Sequence, residues 1–364
     1  MNVLKKVKHF LSEFVTLLIR MLPVRNRVFF YTIRSNDVPL DNLKCVYDAV
    51  KGKKALFAHM LPHSFGQMLR ARYALLTSHV IVTDDYIRYL RQVPLHKQQK
   101  VIQLWHAAGA FKRFGLDAPS RLTPEEERRT HDRYSDVIVS GEAVRSFYAG
   151  AFGVPLSVVK PLGVPRTDAL FDPARRSAAS SRVLEKYPFL AGKTVYLYAP
   201  TFREIDGTVI DFDPKIDFEA LDAQLLADEV FLVRRHPVMK RQLVSAPCSR
   251  VHEISDCSTA DLLTLADVLI TDYSSVVFDA ALLNIPIVFY CPDLASYERT
   301  FYLDLIGEAP DAVVLQDTVL LQKARNCVGR ETDEKANLLV KAQLSSCDGH
   351  ATERVVQLVE SYLK

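Results

Sequence analysis

Short apolar runs alternate with longer segments of mixed polarity along most of this chain. In the first half the runs are Val28–Tyr31, Ala55–Ala58, Val80–Thr83, Val101–Leu104 and Val137–Ser140. Their length and their β-branched and aromatic content are typical of buried strands. Between them, segments such as Asp41–Val50, Pro124–Arg133 and Glu142–Ala149 have the composition or apolar spacing of helices. Strands that alternate with helices predict an α/β fold with parallel sheets and right-handed crossovers.

A second series of the same kind follows. Its apolar runs are Thr194–Ala199, Val230–Val233, Val251–Ile254, Val268–Ile270 and Ile287–Tyr290. Two successive series of similar size predict two Rossmann-like domains that face a cleft. We assign 28–165 to the first domain and 166–345 to the second, and we expect 346–364 to form a closing helix.

Two segments between these series have the composition of connections. Val158–Asp168 carries two prolines and a glycine, which is typical of an interdomain linker. Arg175–Ser181 is small and polar, and we predict a surface loop there.

Residues 1–27 combine an apolar stripe with basic residues. Phe14 and Leu18 lie on the stripe, and Lys5, Lys6 and Lys8 supply positive charge. This pattern predicts an amphipathic helix that lies on a membrane surface and is drawn to anionic lipid. The alternatives are a helix packed on its own domain and, less consistent with the short apolar run, a signal peptide. No apolar run approaches the ~18–20 residues that span a bilayer, so we expect a soluble or peripheral protein.

Composition narrows the class of protein. A chain of 364 residues, 49% of them hydrophobic, is long enough for two domains with sizeable cores. The net charge of +3 is too small for a general nucleic-acid binder. The six cysteines form no CxxC pair, which fits reduced thiols better than a disulfide framework or a zinc site.

The clearest single unit is Leu265–Asp293, which follows the pattern strand, polar turn, helix, strand. The turn consists of Thr271, Asp272, Tyr273, Ser274 and Ser275. It stands at the carboxyl end of a strand and the amino end of a helix, where open α/β sheets bind ligands and where N–H groups favour an anion. The two serines add hydroxyl donors, although a capped helix without a ligand explains the same residues.

Other polar clusters also come directly after predicted strands. Trp105 and His106, with Gly109 and Lys112 nearby, follow one strand of the first series. A histidine at such a place can take a proton from an acceptor hydroxyl, although a buried structural histidine is the alternative.

In the second series, cationic and donor residues follow two strands. They are Thr201, Arg203, Arg234, Arg235 and His236. The planar guanidinium of Arg203 is suited to gripping a phosphate, and the set as a whole suits a diphosphate. The sequence contains no GxGxxG after a strand, no Walker A motif and no HExxH motif. We therefore expect a site that uses neither a metal nor a cofactor.

Several of these segments resemble motifs of the CDP-glycerol glycerophosphotransferases of wall teichoic acid synthesis, the TagB/TagF family. LYAPTFR is similar to the family's LYAPTWR, VRRHP to its LRxHP, and TDYSSVVFDAALLNIPIVFY to its TDYSSxxFDxxxLxxPxxFY. DLASYERTFYLD, which contains Arg299, resembles DLxxYRGFYxD, and the WH…K…G segment matches in part. The similarity extends from about Val28 to Leu305.

The resemblance implies a GT-B fold and transfer of glycerol phosphate from CDP-glycerol to a lipid-linked acceptor, with release of CMP. It also implies that His106 and His236 are the two motif histidines, and that CDP-glycerol binds near Arg203, Thr271–Ser275 and Arg299. The expected mechanism uses His106 as the base, with His236, Arg235 and Arg203 stabilising or protonating the leaving CMP phosphate. The expected location is the cytoplasmic face of the cell membrane.

The departures from the family pattern fall on the acceptor side. HGTPLK is HAAGAFK here, and Arg-Gly-Phe-Tyr becomes Arg299-Thr300-Phe301-Tyr302. These departures, and the lack of the long extra domain of many polymerases, favour a primase. Such an enzyme adds the first glycerol phosphate to undecaprenyl-diphosphate-linked ManNAc-GlcNAc. The alternatives are a chain-extending polymerase, a nucleotide-sugar glycosyltransferase of the same fold, and a membrane-docked nucleotide sensor.

Overall fold

The computed structural model describes most of the chain. It covers residues 14–32, 42–58, 65–87, 90, 93–118, 122–205, 208–210, 212–245, 247–297, 300–330 and 335–363. The chain divides into two compact units. The first unit extends to Ala107 and includes Phe114–Asp168 and the segment from Ser346 onward, and the second contains Ala108–Arg113 and Ala169–Ser345.

The first unit is built on a parallel sheet of six strands. The strands are β1 (Arg25–Thr32), β2 (Lys54–Ala58), β3 (Ser78–Thr83), β4 (Lys100–Gln103), β5 (Asp136–Ile138) and β6 (Val159–Lys160). Their order across the sheet is β2-β1-β3-β4-β5-β6. The direction in which strands are added therefore reverses between β1 and β3.

Helices cover this first sheet. They are α1 (described over 14–20), α2 (Asn42–Ala49), α3 (Phe65–Thr77), α4 (Pro124–His131), α5 (Arg145–Phe152) and, at the end of the chain, α14 (Ala351–Ser361). The last helix packs Val355 and Val359 into the same core as Val28 and Phe30 of β1. Its first turn is fixed by the Asp168 carboxylate, which accepts the N–H groups of Ala351 and Thr352.

The second unit is built on another parallel sheet of six strands. They are β7 (Thr194–Tyr198), β10 (Glu229–Val233), β11 (Val251–Glu253), β12 (Val268–Thr271), β13 (Ile287–Tyr290) and β14 (Val313–Val314). The order is β11-β10-β7-β12-β13-β14, so the reversal lies between β7 and β12. A hairpin of β8 (Arg203–Ile205) and β9 (Thr208–Ile210) stands apart from the sheet. The predicted α/β fold with parallel sheets is thus confirmed.

The helices of the second unit are short, apart from one. They are α6 (Asp168–Phe171), α7 (Pro173–Lys186), α8 (Phe218–Gln224), α9 (Thr259–Leu263), α10 (Val276–Leu282), α11 (Leu305–Glu308), α12 (Leu320–Arg325) and α13 (Lys335–Ala342). The core between sheet and helices is rich in aromatic residues, with Tyr198, Phe231 and Tyr290 fully buried.

One prediction of irregular structure is wrong. The supposed loop at Arg175–Ser181 lies inside α7, because Asp172 caps the helix, Pro173 starts it, and Val183 lies on its buried face. The segment predicted as an interdomain linker, Val158–Asp168, ends at the boundary between the two units, and it also contains β6, whose Val159 is buried against Val137 at the edge of the first sheet.

Ala108–Arg113 packs with the second unit, whereas the sequence prediction placed all of 28–165 in one domain. Lys112 forms an antiparallel bridge with Phe301, and the N–H of Ala110 donates to Gln343 Oε1 at 2.6 Å. Hydrogen bonds to partners so distant in the chain leave no local signal in the sequence.

The predicted surface helix is described only in its second half. Within 14–20, Phe14 and Leu18 are about half exposed, while Lys5, Lys6 and Lys8 lie outside the described residues. Among the helices that the structure describes, none combines the length and the apolar character that crossing a bilayer requires.

Candidate active site

The polar segments singled out in the second unit meet at the carboxyl edge of its sheet. Thr201 and Arg203 follow β7, Arg234–His236 follow β10, and Asp272–Ser275 follow β12. The first and third of these segments flank the point where the strand order reverses. Ligands of open α/β sheets bind at such a reversal, outside the carboxyl ends of the strands.

A buried ion network ties this edge together. The Arg203 guanidinium donates from Nη1 to Asp272 Oδ2 at 2.8 Å. Through Nε and Nη2 it also donates to both carboxylate oxygens of Asp293, at 2.6 and 3.0 Å. Phe212 covers one face of the guanidinium, with the ring centroid 4.1 Å from Cζ. The fork that sequence reasoning offered to a phosphate is therefore filled by carboxylates of this chain.

The electrostatics of this network keep Arg203 charged. Burial lowers the pKa of the Arg203 guanidinium, but the carboxylates of Asp293 and Asp272 outweigh that effect and raise the pKa above its ordinary value. Asp293, which follows β13, was noted in the sequence but not assigned to the site. Its pairing with Arg203 depends on strands that are distant in the chain.

The Thr271–Ser275 turn is held in place by the same group of residues. Asp272 Oδ1 accepts the N–H groups of Thr201 and Tyr273, and the Thr271 hydroxyl donates to the carbonyl of Ala199. The Tyr273 ring stacks on Tyr297 with centroids 3.6 Å apart. These contacts join the segment after β7 to the segment after β12.

The two serines do not cap α10 as the sequence suggested. Ser275 occupies the N-cap position in a helical conformation and its side chain makes no capping hydrogen bond. Ser274 Oγ accepts the N–H of Val276 at 3.4 Å, which is a long hydrogen bond.

The two arginines after β10 differ in how they are satisfied. Arg235 Nε donates to Glu253 Oε1 at 2.7 Å, and Nη1 donates to the Met239 carbonyl. Arg234 Nη1 donates to the Arg235 carbonyl, but its Nε is buried and has no hydrogen-bond partner among the described residues. The Tyr198 hydroxyl, at the end of the neighbouring strand β7, is also buried without a hydrogen-bond partner among the described residues.

His236 has a defined protonation state. Its Nδ1 accepts the N–H of Val238 at 3.3 Å, so the neutral ring carries its proton on Nε2. Burial and the positive charges of Lys112 and Arg234 lower the pKa of His236 to about 4. At neutral pH this imidazole is an uncharged donor through Nε2.

His106 lies at the carboxyl edge of the other sheet, after β4 in the first unit. The preceding residue, Trp105, has a φ of +55°, a conformation that side chains of this size rarely adopt. It is held there because its N–H donates to Gln103 Oε1 and its carbonyl accepts from Asn42 Nδ2, both at 2.9 Å.

The His106 imidazole lies against the Trp105 ring, with centroids 4.1 Å apart and the two planes tilted by 30°. Its Nδ1 is 3.8 Å from Asp85 Oδ2, and the side chain is 33% exposed. Asp85 was not assigned to the site from the sequence. The available signal was an acidic pair, Asp84-Asp85, directly after the strand that neighbours β4.

The remaining acceptor-side residues belong to the second unit. Gly109 has a φ of +65°, and a Cβ placed on it would lie 2.2 Å from the Phe278 ring, so this position requires glycine. The Lys112 ammonium lies 5.6 Å from the centroid of the Tyr297 ring. Arg299 lies outside the described residues. The described side chains include no cluster of three or more His, Cys, Asp and Glu able to hold a metal.

Comparison with known proteins identifies relatives over nearly the whole chain. Residues 30–361 match the model of the family CDP-Glycerol:Poly(glycerophosphate) glycerophosphotransferase. A teichoic acid ribitol-phosphate primase of Bacillus spizizenii is 31% identical, over 95% of this chain and 94% of its own length. A teichoic acid poly(ribitol-phosphate) polymerase of the same organism is also 31% identical, over 98% of this chain, which spans only 60% of that relative.

The fold has a counterpart among solved structures. A variant of the wall teichoic acid polymerase TagF superposes with a TM-score of 0.78 at 20% sequence identity, over 100% of this chain and 99% of that one. At this level of identity the likeness concerns the fold alone. Together with the family match, it confirms the resemblance drawn from the motifs.

We predict that the His236 imidazole remains neutral until the pH falls to about 4. The unfolded chain, with an ordinary histidine pKa of ~6.5, binds more protons in this window. The free energy of unfolding therefore decreases as pH falls from about 6.5 to about 4. Lys112→Gln should raise the pKa of His236, because it removes one of the charges that disfavour the imidazolium.

The measurement is an NMR pH titration of the histidine ring resonances, with Lys335→Gln as the matched control. Lys335 is exposed and lies in the same unit. A His236 midpoint near 6.5, or a midpoint that Lys112→Gln does not move, would contradict this account of the electrostatics.

Proposed function

Because this chain belongs to the CDP-glycerol:poly(glycerophosphate) glycerophosphotransferase family, we propose that it transfers glycerol phosphate from CDP-glycerol to an acceptor hydroxyl and releases CMP. In its narrower form the proposal is a primase reaction. The acceptor is then the ManNAc of undecaprenyl-diphosphate-linked ManNAc-GlcNAc, at the cytoplasmic surface of the membrane.

The observation that carries the donor assignment is two unsatisfied polar groups, one directly after β10 and one at the end of the neighbouring strand β7. Arg234 Nε and the Tyr198 hydroxyl are buried and lack partners among the described residues. A buried donor without an acceptor costs about 1–3 kcal/mol, more for a charged group, and an anionic ligand removes that cost. The diphosphate of CDP-glycerol supplies acceptor oxygens of the right charge, and His236 offers its Nε2–H beside them.

Arg203 takes a supporting role in this proposal. Its guanidinium donates four hydrogen bonds to carboxylates and a carbonyl of this chain, so it fixes the Thr271–Ser275 turn and does not grip the donor directly. The Ser275 side chain makes no capping hydrogen bond to α10. The serine hydroxyls of that turn are then available to the diphosphate.

The proposed chemistry is a single displacement at the β-phosphorus, which bears the glycerol. Nε2 of His106 takes the proton from the acceptor hydroxyl while the oxygen of that hydroxyl forms a bond to phosphorus. The bond from phosphorus to the bridging oxygen breaks, and CMP leaves with the electron pair. His236 donates a hydrogen bond to the phosphate oxygens as a neutral group. The reaction requires both histidines to reach one donor molecule, as in the GT-B arrangement predicted from the sequence.

A second candidate differs only in the transferred group. The two relatives described above are named as ribitol-phosphate enzymes. CDP-ribitol and CDP-glycerol share the cytidine and diphosphate that the second unit would bind. The same residues therefore support transfer of ribitol phosphate, and the identity of the product decides between the two.

We also propose that the enzyme docks on the membrane through the helix that contains 14–20. Its exposed residues include Phe14, Leu17 and Leu18, followed in the chain by Met21, which is 82% exposed. An exposed apolar surface next to basic residues partitions into an anionic membrane interface.

We predict that a soluble analogue of the lipid-diphosphate disaccharide gains one glycerol phosphate when it is incubated with CDP-glycerol. Mass spectrometry of the product provides the test, and CDP-ribitol is supplied in a parallel reaction. His106→Ala should reduce turnover by about 100-fold or more, because it removes the base. His350→Ala, at an exposed histidine of the same unit, is the control and should retain turnover.

Each product pattern has a separate meaning. A ladder of products would identify a chain-extending polymerase, and transfer from CDP-ribitol alone would favour the second candidate. Transfer from a UDP-sugar instead would overturn the proposal, and so would CDP-glycerol binding without any product. Wild-type turnover in folded His106→Ala would remove the base role of this residue.

We predict that Arg234→Met weakens CDP-glycerol binding about tenfold or more, because charge-assisted hydrogen bonds to the diphosphate are lost. Isothermal titration calorimetry measures the dissociation constant. The matched control is Arg182→Met, at an arginine 61% exposed on α7 of the same unit. Equal affinities in the two variants would show that Arg234 does not contact the donor.

We predict that Phe14→Asp with Leu18→Asp reduces sedimentation with anionic liposomes by about tenfold or more, because two apolar side chains no longer enter the interface. Binding of CDP-glycerol should not change. The control pair is Leu294→Asp with Leu338→Asp, at exposed leucines of the second unit. If both pairs sediment like the wild type, this helix is not the docking surface.

A further inference from the structure

We propose that Asp85 is a positioning residue that orients His106 as the proton acceptor. Gln103 fixes the backbone of the two loops that carry these residues. The inference rests on the proposed function, in which His106 takes the acceptor proton. All residues that carry it lie in the first unit, and all are described.

Asp85 faces one nitrogen of the His106 ring. Its Oδ2 is 3.8 Å from His106 Nδ1, and the two side chains are 16% and 33% exposed. Contact with the Trp105 ring, 4.1 Å away between centroids, restricts the rotation of the imidazole. A carboxylate beside Nδ1 favours the tautomer with the proton on that nitrogen, which leaves Nε2 free to accept a proton. The same carboxylate then stabilises the imidazolium formed in the reaction.

The placement of Asp85 follows from the sheet. Asp85 stands two residues beyond the end of β3, and His106 three residues beyond the end of the adjacent strand β4. The carboxylate is itself oriented, because its Oδ1 accepts the N–H of Tyr86 at 2.7 Å.

Gln103 connects the two loops through a single buried side chain. Its Oε1 accepts the N–H of Trp105 at 2.9 Å, and its Nε2 donates to the Asp85 carbonyl at 3.1 Å. Gln103 therefore fixes both the strained residue before His106 and the backbone of Asp85. A shift of either loop breaks a hydrogen bond of Gln103, whose side chain is fully buried.

A buried chain of hydrogen bonds connects Gln103 to α4. Gln103 Nε2 also donates to the Tyr134 hydroxyl at 2.9 Å, which lies 3.1 Å from His131 Nδ1. His131 Nε2 is 3.2 Å from Glu127 Oε1. Because the hydroxyl accepts from Gln103, it donates its own proton to His131, and neutral His131 donates onward to Glu127. The chain of donors thus ends on a carboxylate of α4.

The test is a double-mutant cycle of Asp85→Asn and His106→Ala, read by turnover, by CDP-glycerol affinity and by melting temperature. We expect Asp85→Asn to lower turnover by about 100-fold, with donor affinity and melting temperature nearly unchanged. In the His106→Ala background it should have no further effect, because the group through which it acts is absent. Asp85→Glu should restore part of the turnover.

Two further variants separate orientation from general stability. Asp136→Asn removes a buried carboxylate at the start of β5 and should leave turnover unchanged. Gln103→Met removes the hydrogen bonds of this side chain to Trp105 and Asp85. It should lower turnover in the wild-type background and have no further effect in the His106→Ala background. An equal loss from Asp85→Asn in both backgrounds would reduce Asp85 to a structural residue and overturn the inference.

A readout independent of activity comes from the nitrogen shifts of the His106 ring. We expect wild-type His106 to carry its proton on Nδ1 and Asp85→Asn to populate the other tautomer. Unchanged shifts would overturn the inference even if no product forms. Inactive His106→Ala with fully active Asp85→Asn would refute the role of Asp85 alone, whereas fully active His106→Ala would refute the base role and this inference with it.

Discussion

The buried contact between Arg203 and two carboxylates is the interaction on which the donor side of this protein depends. It joins the segments that follow β7, β12 and β13, and through Asp272 it also fixes the Thr271–Ser275 turn. Removing three charges from water is expensive, and such a group is stable only when each charge keeps its partners. Loss of one member would leave an uncompensated buried charge, at a cost of about 3–5 kcal/mol. The network is therefore a rigid base for a binding site, and its guanidinium is already paired with carboxylates of this chain.

The two candidate histidines, one in each unit, have neighbours of opposite charge. His106 Nδ1 lies 3.8 Å from the Asp85 carboxylate. His236 lies near Lys112 and Arg234, and it is buried, so its pKa falls to about 4. Two titratable groups with neighbours of opposite charge are suited to different steps. In the proposed reaction His106 accepts a proton, and His236 stays neutral and donates a hydrogen bond.

Local patterns in the sequence were sufficient for most strands and for the places where polar residues follow them. Each strand that was predicted from an apolar run is present, and the segments around His106, His236 and Asp272 lie at carboxyl edges. What the sequence did not show depends on partners distant in the chain. The engagement of Arg203 by Asp293, the nearness of Asp85 to His106, and the packing of Ala108–Arg113 in the second unit all follow from strand order. Helix α7 was missed for a local reason, because its small polar residues obscured the cap at Asp172.

Hydrogen-bond satisfaction separates residues that the sequence presented as equivalent. Arg203, Arg234 and Arg235 are all arginines beyond strand ends, and each suited a diphosphate on residue type alone. In the folded chain Arg203 and Arg235 are paired with carboxylates, whereas Arg234 keeps a buried nitrogen without a partner among the described residues. A protein gains nothing in stability from a buried cationic donor left in that state. In the proposed function, the diphosphate of the donor supplies the acceptor that this nitrogen lacks.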